Sequence, residues 1–290
     1  MASLKEVKTR ISSVTSTQQI TKAMKMVAAA KLRRSQERIM QMRPFAQKMT
    51  AVVQNLSSGQ DSESWYSKVR KEERIAIVVI TSDRGLCGSF NSAVVKSVMR
   101  LLEEKFPAAH AKKQVTIVPI GKKGFEFFGK RQMPMITDFV ELFHGLSYEK
   151  ASLAGERLIQ AFRNGEFDRV EIVYNQFKNV ATQILVNEQF LPVTPPAKSK
   201  KQDTDYIFQP NQAEILSGLI PKALKVQLYK AVLDSNASEN GARMTAMDKA
   251  TENAGELIKD LKLMYNRTRQ AAITKEILEI VAGAEALKGS

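Results

Sequence analysis

The sequence predicts an α/β protein in which the two chain ends are long helices wound together as a coiled coil, with a Rossmann-like α/β domain between them. Three observations carry this. Residues 212–287 are rich in Ala, Leu, Glu, Lys and Met, and their only proline, Pro221, stands near the start, where a helix tolerates one. The first 57 residues contain no glycine and a single proline, Pro44. Between the ends, apolar runs of strand length alternate with amphipathic stretches of helix length. The expected divisions are 1–57, an N-terminal coiled-coil helix; 74–190, the α/β domain; and 212–290, a C-terminal coiled-coil helix that pairs with the first.

Taken in order, Leu4, Val7, Ile11 and Val14 open the chain on a three-four-three stripe, and Met24 with Val27 resumes it after a polar interval. Residues 3–57 read as one helix of roughly 80 Å, with Pro44 as the one place for a bend. Lys22, Lys25, Lys31, Arg33, Arg34 and Arg38 cluster on it with few acidic partners at i,i+4. Met24, Met26, Met40, Met42 and Met49 read as packing residues. Residues 57–73 turn to Ser, Gly, Gln and charges, the composition of a linker.

The pattern then changes to a buried strand at 74–81, a glycine-bearing turn at 82–89 and an amphipathic helix at 90–105. A strand at 115–120, a short helix at 121–130 and a longer one at 147–163 follow. Residues 170–178 and 182–190 alternate as paired strands across a short turn. Residues 191–205, with three prolines, form a loop into the terminal helix. That helix is roughly 110 Å long, more than a compact domain of this size can cover. Along it Ile273, Ile277, Ile280, Ala284 and Leu287 recur in steps of four and three, and Leu257, Leu261 and Met264 keep the rhythm further back. So narrow an apolar stripe needs a partner, and the first 57 residues are the available one.

Composition narrows the functional classes. The longest wholly apolar run, 75–80, is six residues, against the roughly 20 that span a bilayer. The N-terminus has neither a secretory h-region nor the composition of a transit peptide. One cysteine, Cys87, excludes an internal disulfide. The net charge is +14, and it is unevenly placed: residues 1–57 hold 11 Lys/Arg against 2 Asp/Glu, whereas 212–290 hold 11 against 10. A basic helix calls for an acidic counterpart, whether nucleic acid, an anionic membrane or an acidic protein surface. Phe45 is the only aromatic among the first 57 residues, which argues against stacking on single-stranded nucleic acid.

Catalytic patterns are lacking. The turn at 82–89 has neither a GxxxxGK[ST] cradle nor a GxGxxG, and the glycine pair Gly121 and Gly124 has no hydroxyl at the required spacing. Cys87 reads as a small buried hydrophobe, and His110 and His144 are too few for a zinc site. Glu72 and Glu73, like Glu103 and Glu104, are adjacent and point apart. No catalytic residue, metal site or cofactor is expected. On the residues alone, a coiled-coil nucleic-acid-binding protein and a nucleotide-binding α/β enzyme stay open beside a structural subunit.

Four longer segments say more: TQQITKAMKMVAAAK at 17–31, SDRGLCGSFN at 82–91, ARMTAMDKATENA at 242–254 and YNRTRQAAITKEI at 265–277. Together they resemble the gamma-subunit family of F-type ATP synthases, and the likeness covers essentially the whole chain in order. It implies an antiparallel coiled coil serving as the central rotor shaft of a proton-translocating complex, one copy per assembly. The expected partners are the alpha, beta, epsilon and c-ring subunits, with no nucleic acid and with membrane contact only through the c ring. Active sites would lie on the beta subunits, and the location would be peripheral, on the cytoplasmic side of a bacterial inner membrane. The family's contacts with the beta catch loop fall on Arg269, Gln270 and Thr274, with Met24 and Arg243 in the region coupled to them. Lys22, Lys25, Lys31, Arg33 and Arg34 are the expected partners of an acidic lever segment of beta. Tyr206 falls in the foot that touches the c ring, and Gln209 stands where relatives often carry an acid. The paired cysteines of chloroplast relatives are missing.

Overall fold

An unbroken apolar run such as 75–80 fits a strand covered on both faces, and that is where it lies. The computed structural model describes residues 3–57, 65–193 and 212–288. Its elements are α1 (Leu4–Ser57), β1 (Ile75–Ile80), α2 (Phe90–Glu104), α3 (Pro107–Ala111), β2 (Val115–Ile120), α4 (Lys122–Gly129), α5 (Tyr148–Arg163), β3 (Arg169–Phe177), β4 (Gln183–Leu191) and α6 (Gln212–Lys288). Among the described residues no helix is long and apolar enough to cross a membrane. The chain divides into two compact units, Ala28–Arg243 and Met1–Val27 with Met244–Ser290.

The larger unit contains one sheet of order β2-β1-β3-β4, in which β1 runs parallel to β2 and β3 while β4 returns antiparallel along β3. All six residues of β1 are buried. Ile75, Ile77 and Val79 face Val94, Val98 and Leu102 of α2. Ala76, Val78 and Ile80 share the opposite core with Leu158 and Phe162 of α5 and Leu224 and Leu228 of α6. Three parallel strands with helices on both faces are the Rossmann-like layering expected from the alternation of elements. Two details differ from expectation. The short α3, opened by Pro107 at its first turn, carries no amphipathic signal of its own. Residues 65–73 are not a bare linker: Trp65 stacks on Tyr66 with centroids 3.6 Å apart, and Tyr66 is buried with its carbonyl accepting from the Val193 amide.

Within this unit α1 buries Ala28, Leu32, Ser35, Ile39, Ala46 and Val53, a seven-residue repeat with two members per turn pair, and it continues through Pro44 uninterrupted. α6 is buried on several sides here: Leu228, Ala231 and Val232 join the sheet core, while Asp234 and Asn236 meet Arg43 and Ser35 of α1.

In the smaller unit α1 and α6 run antiparallel. The Thr251 hydroxyl donates to that of Thr21 at 2.8 Å, Gln18 Nε2 donates to the Thr251 carbonyl at 3.3 Å, and Lys25 pairs with Asp248 at 2.5 Å. The buried or half-buried seam is Val7, Ile11, Val14, Gln18 and Thr21 against Met247, Thr251, Ala254, Ile258, Leu261 and Tyr265. The expected phase was therefore wrong in two places. Val27 is exposed and Met24 only half-buried, and Leu257 and Met264 are exposed, while the expected Leu261 does take the seam, together with Ala254. The repeat from Val7 and Val14 lands on Thr21, whose polarity is satisfied across the interface, so hydrophobicity alone skips it.

A second correction concerns the end of α6. Ile273, Ile277 and Ile280 are 48%, 54% and 71% exposed instead of packed on α1. With Thr21 level with Thr251, equal rise on both helices puts Leu4 opposite about residue 268, and α1 has nothing further to offer.

Candidate partner-binding surfaces

In the smaller unit the expected catch-loop residues lie on these unpartnered turns. Arg269, Gln270 and Thr274 are exposed, as is every residue from 269 to 284. The Thr274 hydroxyl donates back to the Gln270 carbonyl at 2.9 Å, the ordinary resting bond of a helical threonine. The Arg269 guanidinium and the Gln270 amide are thus open to a partner on a rigid helical support. Apolar residues surround them: Ile273, Ile277, Leu278, Ile280 and Val281 are all exposed, a patch of the kind that marks an interface. Around the Met24 turn, Lys22 is exposed and has no ion-pair partner among the described residues. Lys25 differs, being paired across the two helices with Asp248 on the surface of the coil.

In the larger unit Lys31, Arg33 and Arg34 are exposed, and Arg33 pairs loosely with Glu37 at 3.3 Å. Arg243 has another environment. Its guanidinium bonds the Glu239 carboxylate at 2.6 Å, the Arg84 carbonyl at 3.1 Å and the Gly85 carbonyl, with only 12% of the side chain exposed. Burial holds the Glu239 carboxyl above its usual range, with Arg243 pulling it down. Tyr206 lies outside the described residues.

The strand-to-helix turns that resemble a phosphate site are already filled by the chain itself. The Gly124 amide donates to the Thr81 hydroxyl at 2.8 Å, the Lys122 amide to Asp83 at 3.1 Å and the Lys123 amide to the Ser82 carbonyl at 3.0 Å. A Cβ on Gly121 would fall 2.1 Å from the Thr81 carbonyl oxygen, so this glycine serves close backbone packing. In the 82–89 turn, Asn91 accepts from the Ser82 amide at 2.9 Å and donates to Cys87 Sγ at 3.2 Å. Cys87 is buried, as its neighbours in sequence suggest. A groove of about 820 Å³ between α2 and α4 is lined by Val95, Met99 and Phe127 together with charged residues of both signs. Among the described residues no cluster of His, Cys, Asp or Glu is arranged to hold a metal ion.

Sequence reasoning missed the buried polar contacts. Arg43 Nη2 pairs with the fully buried Asp234 at 3.1 Å and donates to the Phe177 carbonyl at 2.7 Å, tying α1, α6 and β3 together. Asp234 Oδ2 and Ser235 Oγ are buried without a hydrogen bond among the described residues, and burial raises the Asp234 pKa above the ordinary 3.8. Burial and the neighbouring Glu188 push the Tyr174 hydroxyl far up, and it donates to Glu188 at 3.1 Å. The available signal was the polar string DSNASEN at 234–240, too dense for the outer face of a helix whose flanks are apolar.

These features define a class: an α/β protein carrying a two-helix coiled coil, with no formed catalytic site among its described residues and an exposed apolar helix end. The ATP synthase family model matches residues 3–287. The ATP synthase gamma chain of Cytophaga hutchinsonii is 55% identical over 293 residues, covering 99% of each chain. That of Flavobacterium psychrophilum is 51% identical with full coverage of both. Among solved structures, a chain of the central stalk and c-ring structure of Tetrahymena thermophila mitochondrial ATP synthase aligns with TM-score 0.56 at 25% identity, over 80% of this chain and 99% of that one. A chain of Euglena gracilis mitochondrial ATP synthase shares the fold with TM-score 0.70 at 23% identity, over 98% and 94%. The chain belongs to the ATP synthase gamma-chain family.

Proposed function

We propose that this chain is the non-catalytic central shaft of a bacterial F-type ATP synthase, turning with the c ring and driving the beta subunits through their nucleotide states in sequence. The observation that carries the reading is the end of α6, where about four helical turns stay helical with apolar residues exposed and no partner from α1. A helix with that much apolar surface requires a sleeve, and a ring of alpha and beta subunits supplies one. In this reading 1–57 and 212–290 are the shaft, and 74–190 is the base beside the epsilon subunit and c ring, with Tyr206 in the foot. Membrane attachment is then peripheral, on the cytoplasmic side of the inner membrane.

A shaft acts by contacts that differ among three otherwise equal beta subunits, because a ligand that touches every state equally shifts none. Arg269, Gln270 and Thr274 are proposed to bond one catch loop in one rotary position. Lys22, Lys31, Arg33 and Arg34 offer an acidic lever exposed ion pairs of about 0–1 kcal/mol each, weak enough to break at every step. Lys25 contributes mainly within the coil through Asp248. Nucleotides bind on the partners, consistent with glycine turns here that are closed by the chain's own acceptors.

The test is ATP turnover by the chain assembled with alpha and beta subunits. Replacing Arg269 and Gln270 together by alanine removes at most about 2 kcal/mol of exposed contacts. Turnover is expected to fall by about threefold to tenfold with assembly intact; unchanged turnover removes the catch assignment, and failure of the wild-type chain to assemble removes the shaft.

A further inference from the structure

In the larger unit β3 outruns the strand beside it. Its last pairing with β1 joins Val173 to Val79, and residues 174–177 continue past that point at the carboxyl end of the sheet. The sheet order puts β2 on one side of β1 and β3 on the other. This is therefore the switch point at which an open α/β sheet ordinarily holds a ligand. Here the chain's own helices take the place. Carbonyls two residues apart on a strand point to one edge, and those of Asn175 and Phe177 accept from two different helices. The Ser238 hydroxyl of α6 donates to the first at 2.9 Å, and Arg43 Nη2 of α1 donates to the second at 2.7 Å. The same Nη2 holds the Asp234 carboxylate of α6 at 3.1 Å, and the Asn175 side-chain amide donates to the Phe90 carbonyl of α2 at 3.2 Å. Asp234, Ser238 and Asn175 are all buried.

This cluster differs in kind from the packing around it. Leu228, Ala231 and Val232 join the sheet core and resist separation, but apolar contact is non-directional and opposes a turn of the helix only weakly. Hydrogen bonds weaken steeply when bent, so they fix an angle. Nor does stability account for the Arg43–Asp234 pair. One carboxylate oxygen has no hydrogen bond among the described residues, and apolar residues of similar volume serve such a site as well or better.

We propose that Arg43, Asp234 and Ser238 are positioning residues that form a torsional joint. They pin α1 and α6 to the carbonyl edge of β3, so that a turn of the α/β base becomes a turn of the helix pair without slip. The inference rests on the shaft reading and deepens it by naming the residues that carry torque from base to helices.

The experiment uses the chain assembled with its alpha, beta and epsilon subunits, the head fixed to a surface. A rod is attached to the base through Lys112→Cys, an exposed position, Cys87 being buried. Two quantities are read: the angular variance of the rod while the complex waits for ATP, and the urea midpoint of the purified chain. Arg43→Met with Asp234→Leu removes the directional bonds and keeps the site filled. Variance is expected to rise by about twofold or more, with the midpoint unchanged or raised. Ser238→Ala is expected to widen the variance by less, and it serves if the double variant does not assemble. Ser35→Ala, which loses a bond to Asn236 of α6 but none to the sheet, is expected to leave the variance as in wild type. Unchanged variance in the double variant, or in Ser238→Ala where that is the one read, overturns the joint. So does an equal widening in Ser35→Ala, which would be general loosening of the helix pair. If the rod on the wild-type complex does not turn when ATP is added, the shaft reading itself falls; a turning rod with unaltered variance removes the joint alone.

Discussion

Asp234 has an environment in which a carboxylate is costly. It is fully buried, with one oxygen held by Arg43 and the other without a hydrogen bond among the described residues. Burial raises its pKa and the Arg43 guanidinium opposes this. A carboxyl whose folded pKa exceeds its unfolded value binds its proton more tightly in the native state, so its contribution to stability is largest at low pH. That contribution falls as pH rises from 3.8 through the folded value and is flat above it. Asp234→Asn keeps an acceptor for Arg43 and is expected to remove this slope. Arg43→Met leaves the carboxylate uncompensated, which costs about 2–4 kcal/mol near neutrality and widens the window upward. Urea midpoints of the purified chain across pH 3.5–8 would check both; parallel curves for wild type and Asp234→Asn would show that the carboxyl does not titrate on folding.

At the scale of elements, period was legible throughout and phase only in part: Val7, Ile11, Val14 and Leu261 lie on the seam as expected, whereas Val27, Leu257 and Met264 do not. The length of both terminal helices, the parallel strands and the β3–β4 hairpin follow from periodicity, glycine and proline placement, and the covered-on-both-faces run at 75–80. The seam was misplaced because its centre is built from Gln18, Thr21, Thr251 and Ala254, small or polar residues that pair across the interface. Exposed Val27, Leu257 and Met264 drew the stripe off by one position. The catch-loop positions were available only through family likeness, since Arg269 and Gln270 resemble any polar helix face. The Arg43–Asp234 pair had no pattern to announce it, because the two residues are 191 positions apart. The exposed end of α6 carries its own prediction. A Cβ at Gly283 meets nothing within 4 Å, so Gly283→Ala adds helix propensity of up to about 1 kcal/mol without a clash. Exchange at amides 278–288 of the free chain is expected to slow by about threefold to fivefold; faster exchange would mean that this end is not helical in solution.

Charge is the property of the whole chain that its elements do not explain. Nine of the fourteen net positive charges fall within residues 1–57, while 212–290 contribute one. Internal pairing uses few of the first set: Lys25 with Asp248, Arg33 with Glu37 and Arg43 with Asp234. Lys22 and Arg34 are exposed and have no ion-pair partner among the described residues, so stability does not account for them. If they act on an acidic lever, they act through a field that salt removes, since the screening length shrinks from about 10 Å at 0.1 M to about 3 Å at 1 M. Replacing both by glutamine is therefore expected to lower ATP turnover of the assembled complex by about twofold to fivefold at low ionic strength, and by nothing measurable in 1 M potassium chloride. A deficit that persists at high salt would assign these side chains a packing or hydrogen-bonding role. Equal turnover at both salt levels would place the lever contact on Lys31 and Arg33, the two remaining exposed cations of the expected set.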